Sequence, residues 1–330
     1  GKSHLQNFSD MEVTLPPCTE TGAPPPSDLQ EARRGTIRGS EYEEEKPPKE
    51  ERQGYLNLQT PFYGFDHVDL VTRHGDRARG HYDEWLKEQH ADADSLRGAD
   101  NAIPEPNYCA PQAWHTSIPE EHYTSTYVAD KSAEFLEANA VGKNDAPFFL
   151  QCSFPDPHHP YTPPGKYFTM YDPDDIELPG SYNNPSPQPT TAFIQQQTLA
   201  NAMPRTGNLP FASTERETRE IIAVTYGMIS MVDDCIGRVV QKLEDLGLAE
   251  DTVLLFTSDH GDFMGDHGIM LKGPLHYQSL INVPFIWADP RDGLSDVRNQ
   301  ELGGTIDIAR TVLARAGLAS YNGMQGHDLG

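Results

Sequence analysis

The chain has 330 residues, and its 50 acidic side chains outnumber its 25 basic ones, which gives a net charge of −25. This acidity excludes a general nucleic-acid binder, because contact with DNA or RNA phosphates needs a basic face. We therefore expect no nucleic-acid partner. We also expect no membrane span, because no apolar run approaches the ~20 residues that cross a membrane. The 27 Gly and 28 Pro residues predict many turns and ordered loops and argue against a helical bundle.

In chain order, the first half of the sequence contains loops, one helix and two short strands. Clustered prolines over residues 9–54 predict a solvated, irregular insertion loop. Near-alternation of apolar and polar residues predicts a strand over 64–72. Proline and acidic residues at Ile118–Glu121 predict the start of a helix. The apolar run Pro147–Phe154 predicts a buried strand that ends in the proline-rich loop Pro155–Pro160.

The second half has the pattern of helices covering a sheet. Apolar residues recur every three or four positions over 215–247, and this spacing predicts a long helix. Thr214 and Glu217 fit a capping box at its start. The strand predicted over Thr252–Thr257 is continuously apolar, which favours a central, buried position. This order of elements predicts an α/β fold in which helices cover a largely parallel sheet.

Asp259 and His260 directly follow the strand Thr252–Thr257 within Ser258-Asp-His-Gly261. Ligands gather at the carboxyl ends of strands in open α/β sheets, and a carboxylate beside an imidazole suits a divalent cation. Alternatively, Asp259 caps a turn and His260 bonds to the backbone. The second Gly-Asp-His-Gly over 265–268 favours the metal site.

Other candidate side chains lie in loops. His158 stands in Pro157-His-His-Pro160, where prolines restrict the backbone, and Asp156 is close enough in sequence to modify its pKa. Lys272 follows His260 by twelve residues and could hold an anionic oxygen. Gly1-Lys-Ser-His4 adds Lys2 and His4. Each of these motifs is weak by itself.

Together and in this order, the four motifs resemble the sulfatase family within the alkaline-phosphatase-like superfamily. The resemblance rests on Gly1-Lys-Ser-His4, Pro157-His-His-Pro160, Ser258-Asp-His-Gly261 and Lys272. It implies a three-layer α/β/α alkaline-phosphatase-like fold with a mostly parallel central sheet. It also implies one catalytic domain over residues 1–330, expected to be truncated at both ends, that hydrolyses a sulfate monoester, either a small molecule or a glycan.

The resemblance also implies a role for each matched residue. Asp259 and His260 would bind a divalent cation, calcium in most sulfatases, with magnesium or manganese as alternatives. Lys2 and Lys272 would bind the sulfate oxygens. His4 would assist the nucleophile through a hydrogen bond. His158 would contact the ester or protonate the leaving oxygen, and these roles agree with the charge that sulfate-ester cleavage develops.

One part of the family pattern does not match. The family nucleophile is a formylglycine, made by a maturation enzyme from Cys or Ser in a Cys/Ser-x-Pro-x-Arg core that precedes Gly-Lys-x-His. We therefore expect a fragment whose nucleophile and remaining metal ligands lie upstream, and which is inactive by itself. Cys109-Ala-Pro-Gln-Ala113 imitates the core, but Ala113 replaces the Arg and the order is wrong. Asp233-Asp234 is predicted to lie on a helix surface.

Two other functions stay open at the level of sequence. A phosphodiesterase or phosphonate monoester hydrolase of the same superfamily shares the metal, Lys and His pattern. A non-catalytic protein that binds a divalent metal and has an acidic surface is the third possibility. Because every matched residue downstream of Gly1 is intact, truncation is favoured over decay of a former enzyme.

Overall fold

A computed structural model describes residues 58, 60–141, 146–184, 186–293, 296–320 and 324–330. The chain divides into two compact units. Among the described residues, the first lies within residues 58–293 and the second within residues 296–330. The predicted insertion over residues 9–54 lies outside the described residues.

The first unit contains five α-helices and six short strands among its described residues. The helices are α1 (His81–Gln89), α2 (Thr124–Val141), α3 (Pro189–Leu199), α4 (Glu215–Asp245) and α5 (Gln278–Ile281). The strands are β1 (Val71–Thr72), β2 (Arg79–Gly80), β3 (Phe211–Ala212), β4 (Leu254–Thr257), β5 (Ile269–Met270) and β6 (Phe285–Ala288).

Helix α4 begins and ends where the sequence predicts. The Thr214 hydroxyl accepts a hydrogen bond from the Glu217 backbone, and the Glu217 side chain accepts one from the Thr214 backbone, which completes the capping box. After the last turn, Gly247 adopts a φ of 69°, which ends the helix. The inward face of α4 is buried against the surrounding loops through Ile221, Val224 and Met228.

The segment predicted as a strand over Pro147–Phe154 has no regular strand pairing among the described residues. Its side chains alternate, so that Phe148, Leu150, Cys152 and Phe154 pack against the buried cluster between α2 and α4. The prediction of a buried strand is therefore wrong, although alternate side chains of the segment pack on the core. The segment leads directly into the loop that carries His158.

The strands form three antiparallel pairs: β1 with β2, β3 with β5, and β4 with β6. The mostly parallel sheet predicted from the sequence is not seen among the described strands. Parallel neighbours need a long crossover, whereas the only α-helix between β4 and β6 is the four-residue α5. The prediction of a fully buried β4 is wrong, because Leu254 and Phe256 are about two-fifths exposed, at 37% and 41%.

The described part of the second unit is organised around α6 (Ile308–Arg315). The Asp307 carboxylate accepts hydrogen bonds from the backbone N–H groups of His327 and Gly304, both at 2.7 Å. These two bonds, that from His327 first, hold the pKa of Asp307 below its ordinary value. They tie the C-terminal segment to the start of α6.

In the part of the chain that the structure describes, the helices are all too short or too polar to cross a bilayer.

Candidate active site

His158 lies in the loop that follows the segment 147–154. Its Nδ1 is 2.5 Å from the carbonyl oxygen of His159. Since a carbonyl only accepts, Nδ1 carries the proton and donates to it, which leaves Nε2 as the acceptor in the neutral ring. Nε2 contacts the Nζ of Lys272, which lies 114 positions further along the chain. The fold thus brings together two of the six side chains that the sequence singles out.

Lys272 is positioned by the turn that follows β5. Leu271 has a φ of 69°, and its carbonyl oxygen accepts a hydrogen bond of 2.8 Å from the Phe263 backbone N–H. Asp262, one residue before Phe263, interacts electrostatically with Lys272. Burial raises the pKa of Asp262 to about 7, and the positive charge of Lys272 opposes this rise. Asp262 is a site neighbour that the sequence analysis did not select, although it lies in the same Ser-Asp-His-Gly-Asp stretch.

Asp259 and His260 lie in the turn after β4. The Gly261 backbone N–H donates a 2.7 Å hydrogen bond to the Leu280 carbonyl oxygen. A Cβ at Gly261 would lie 1.9 Å from the carbonyl oxygen of Ser279. Glycine is therefore required for this close approach of the turn to α5. Residues 258–263 form one irregular loop, so that Asp259 and His260 share it with Asp262.

The geometry of this pair fits a divalent cation. His260 Nδ1 is 2.7 Å from the Gly261 carbonyl oxygen and donates to it, so that Nε2 keeps its lone pair, as in metal-binding histidines. Nε2 is 3.5 Å from Asp259 Oδ2. A carboxylate oxygen and an imidazole nitrogen on a partly exposed turn are suitable donors. Across the described ranges, His, Cys, Asp and Glu form no potential metal cluster of three or more. A carboxylate and an imidazole alone would supply only part of a coordination shell.

Two buried carboxylates lie behind the His158 loop. Asp76 is fully buried and accepts hydrogen bonds from Trp114 Nε1 at 2.7 Å and the Gly98 backbone at 2.9 Å. The Asp156 carboxylate accepts a 3.0 Å bond from the Ser125 hydroxyl in the first turn of α2. Burial raises the pKa of both carboxyls, that of Asp156 to about 7. The sequence gives no local signal for Asp76, because its partners come from distant segments.

Lys2 and His4 lie outside the described residues, so that their positions stay predictions. Asp233 and Asp234 are exposed on α4, as predicted, and the Asp234 carboxylate accepts a 2.6 Å hydrogen bond from the Tyr167 hydroxyl. Burial, with the nearby charge of Glu220, raises the pKa of the Cys109 thiol. This disfavours the reactive thiolate and agrees with the rejection of Cys109 as a nucleophile.

The second Gly-Asp-His-Gly stretch connects loops. The Asp266 carboxylate accepts hydrogen bonds from the hydroxyls of Ser279, at 2.7 Å, and Ser181. His267 Nδ1 contacts the side-chain amide of Asn184 at 2.8 Å. These bonds join α5 and the 181–184 loop to the turn before β5. They support the turn that leads to Lys272.

Comparison with known proteins finds relatives in the alkaline phosphatase superfamily, including an arylsulfatase. A multifunctional alkaline phosphatase superfamily protein, PehA, from Trinickia caryophylli is 27% identical over 69% of this chain and 45% of its own length. An arylsulfatase from Clostridium perfringens is 30% identical over 64% of this chain and 42% of its own length. The chain therefore spans less than half the length of these two curated relatives.

Among solved structures, the phosphonate monoester hydrolase of Agrobacterium radiobacter matches with a TM-score of 0.60 and 26% identity, over 75% of this chain and 49% of that one. This likeness confirms the predicted alkaline-phosphatase-like α/β fold. The model of the Sulfatase family matches residues 52–318, which is most of the chain and includes His158, Asp259, His260 and Lys272. The chain belongs to the sulfatase family.

Proposed function

We propose that this chain is part of a sulfuric ester hydrolase that cleaves a sulfate monoester of a small molecule or a glycan. The observation that carries the proposal is the contact between Lys272 Nζ and His158 Nε2 in a chain of the sulfatase family. A cation and an imidazole that lie in contact can act on the two sides of the S–O bond that breaks. Lys272 holds the sulfuryl oxygens, and His158 serves the leaving oxygen.

The tautomer of His158 supports this division of roles. With Nδ1–H bound to the His159 carbonyl oxygen, Nε2 is the nitrogen that exchanges a proton with the site. When an ester binds, the Lys272 ammonium turns to a sulfuryl oxygen, and His158 takes up a proton from water at Nε2. As the nucleophile forms its bond to sulfur and the bond from sulfur to the leaving oxygen breaks, His158 donates this proton to the leaving oxygen. Asp262 interacts electrostatically with Lys272 and favours its charged form. The proton leaves with the alcohol, and the imidazole returns to its neutral form.

Two further roles are proposed from the family resemblance. Lys2 would bind the sulfate oxygens together with Lys272, and His4 would hydrogen-bond to the nucleophile. The nucleophile would be a formylglycine upstream of Gly1, and its formation would require the maturation enzyme as a partner.

We also propose that Asp259 and His260 bind Ca²⁺. The donor set supports a divalent cation, because Asp259 offers carboxylate oxygens and His260 offers the Nε2 lone pair. A bound cation would withdraw negative charge from the sulfuryl group. Calorimetry of Ca²⁺ binding to the full-length protein tests this, with Asp259→Asn against the exposed-surface control Asp233→Asn. Loss of binding in Asp259→Asn alone is expected, and equal affinity in both variants would contradict the site.

A second candidate is a phosphonate monoester hydrolase. The observation that favours it is the solved phosphonate monoester hydrolase to which this chain is similar. Sulfate monoesters and phosphonate monoesters both carry a single negative charge and expel an alkoxide, so that Lys272 and His158 could act in the same way on either. The two functions differ in which ester is preferred.

The test uses full-length gene product, because the chain spans less than half of its relatives. It compares kcat/KM for 4-nitrophenyl sulfate and 4-nitrophenyl phenylphosphonate, which share one leaving group. We expect preference for the sulfate and a loss of about 100-fold or more in Lys272→Ala, the usual effect of removing one charge-stabilising group. Lys242→Ala, on the exposed side of α4, is the control. Preference for the phosphonate would favour the second candidate, and turnover of neither ester would contradict both.

A further inference from the structure

We propose that His74 is a positioning residue, which holds the imidazole of His158 in the orientation that reaches Lys272 by stacking on its face. The inference rests on the proposed function for the role of His158, but the stacking itself is a separate claim. Neither the sequence motifs nor the family resemblance selects His74.

The two rings are in direct contact. The centroids of His74 and His158 are 3.5 Å apart, and the planes differ by 12°. The ring of His159 also stacks with that of His158, at 4.1 Å and 27°. At the edges of the His158 ring, Nδ1 donates to the His159 carbonyl oxygen and Nε2 meets Lys272. The His74 ring therefore limits tilting of the His158 plane, which these edge contacts alone do not prevent.

The turn that carries His74 is fixed to the loop that carries His158. The backbone N–H of Asp76 donates a 2.9 Å hydrogen bond to the hydroxyl of Thr162. Gly75 has a φ of 56°, and a Cβ there would lie 2.6 Å from the Thr162 hydroxyl and 2.7 Å from the Pro160 carbonyl oxygen. Only glycine permits this approach. These contacts fix the backbone that carries the ring of His74.

The buried carboxylate of Asp76 completes the clamp. It accepts hydrogen bonds from Trp114 and the Gly98 backbone, which belong to a segment distant from the His158 loop in sequence. The turn over 74–77 is therefore held both by residues 160–162 and by the segment over 98–114. A side chain on so restrained a turn can orient its neighbour at little cost in entropy.

The kinetic test separates the ring of His74 from its nitrogens. In the full-length protein, His74→Ala removes the stack, whereas His74→Phe keeps a flat ring. We expect His74→Ala to lower kcat on an aryl sulfate by about 10-fold or more, because small misplacements of a reacting group are costly, with KM changed less than about twofold. We expect His74→Phe to recover most of kcat. His90→Ala, outside the site, is the control, and equal loss in Ala and Phe would overturn stacking as the cause.

A spectroscopic test does not depend on turnover. Long-range ¹H–¹⁵N spectra of histidine-labelled protein report which nitrogen of His158 holds the proton, with the signals assigned by their loss in His158→Gln. We expect a single Nδ1–H tautomer in the parent and in His74→Phe, and a mixture of tautomers in His74→Ala. An unchanged tautomer in His74→Ala would overturn the positioning role. A mixture in a protein without turnover would retain that role and reject only the proposed function.

Discussion

Asp156 lies two residues before His158, and its carboxylate points to Ser125 at the start of α2. One of its oxygens has no hydrogen-bond donor among the described residues. Burial raises its pKa from 3.8 to about 7, against the opposing hydrogen bonds from Ser125 and Tyr123. The folded state therefore holds this proton more tightly than the unfolded state. The resulting stability is complete below about pH 4 and is lost as the pH rises through about 7.

Asp156→Asn is expected to flatten this dependence. The amide keeps an acceptor for Ser125 and about the same volume, but it has no charge to bury. We expect the variant to have a higher Tm than the parent at pH 8 and a smaller drop in Tm between pH 5 and pH 8. Asp233→Asn, on the exposed face of α4, is the control. A drop in Tm equal to that of the parent would show that Asp156 is not the titrating group.

At the scale of single residues, the sequence identifies those site residues that stand in short, local motifs. His158, Asp259, His260 and Lys272 stand in short motifs with glycine or proline beside them, and the fold joins His158 with Lys272. Asp76 and His74 could not be selected in this way. Their environments are made by Trp114, Gly98 and the His158 loop, which are distant in sequence, so no local pattern indicates them.

Two glycines of helix α4 allow a test of how this helix packs. A Cβ at Gly227 would lie 1.8 Å from the carbonyl oxygen of Tyr167, whereas a Cβ at Gly237 would have no atom within 4 Å. Gly227→Ala should therefore force α4 away from the 165–167 turn and lower the free energy of unfolding by about 2 kcal/mol. Gly237→Ala should raise the free energy of unfolding by about 1 kcal/mol, because alanine has a higher helix propensity than glycine and this position is exposed. Denaturant unfolding of both variants checks this, and destabilisation of equal size would contradict the packing described.

The elements were predicted with unequal success because their signals differ in kind. Helix α4 has a cap, a period and a glycine stop, all of them local, and its bounds agree with prediction. The strand β4 was predicted at the right place from its apolar run, but its burial was not. Burial of a strand depends on its neighbours, and here β4 pairs with β6 along one edge, while Leu254 and Phe256 stay partly exposed.

Over the 330 residues of this chain, the net charge of −25 opposes the proposed substrate. An anionic sulfate ester is repelled at long range and attracted only near cations such as Lys272. Added salt screens the long-range part most. We expect kcat/KM for an aryl sulfate to rise as NaCl increases from low to physiological concentration. A steady fall would show that local cations dominate the approach of substrate.

In the proposed reaction, His158 protonates the leaving oxygen and Lys272 holds the sulfuryl oxygens, and an experiment can separate these two roles. The most direct measurement is kcat of the full-length protein on a series of aryl sulfates with leaving phenols of increasing basicity. We expect His158→Ala to lose more activity with each poorer leaving group, because such groups depend more on a proton donor. Lys272→Ala should lose a similar factor throughout, since the sulfuryl oxygens are the same in every ester. A constant loss in His158→Ala across the series would contradict the account.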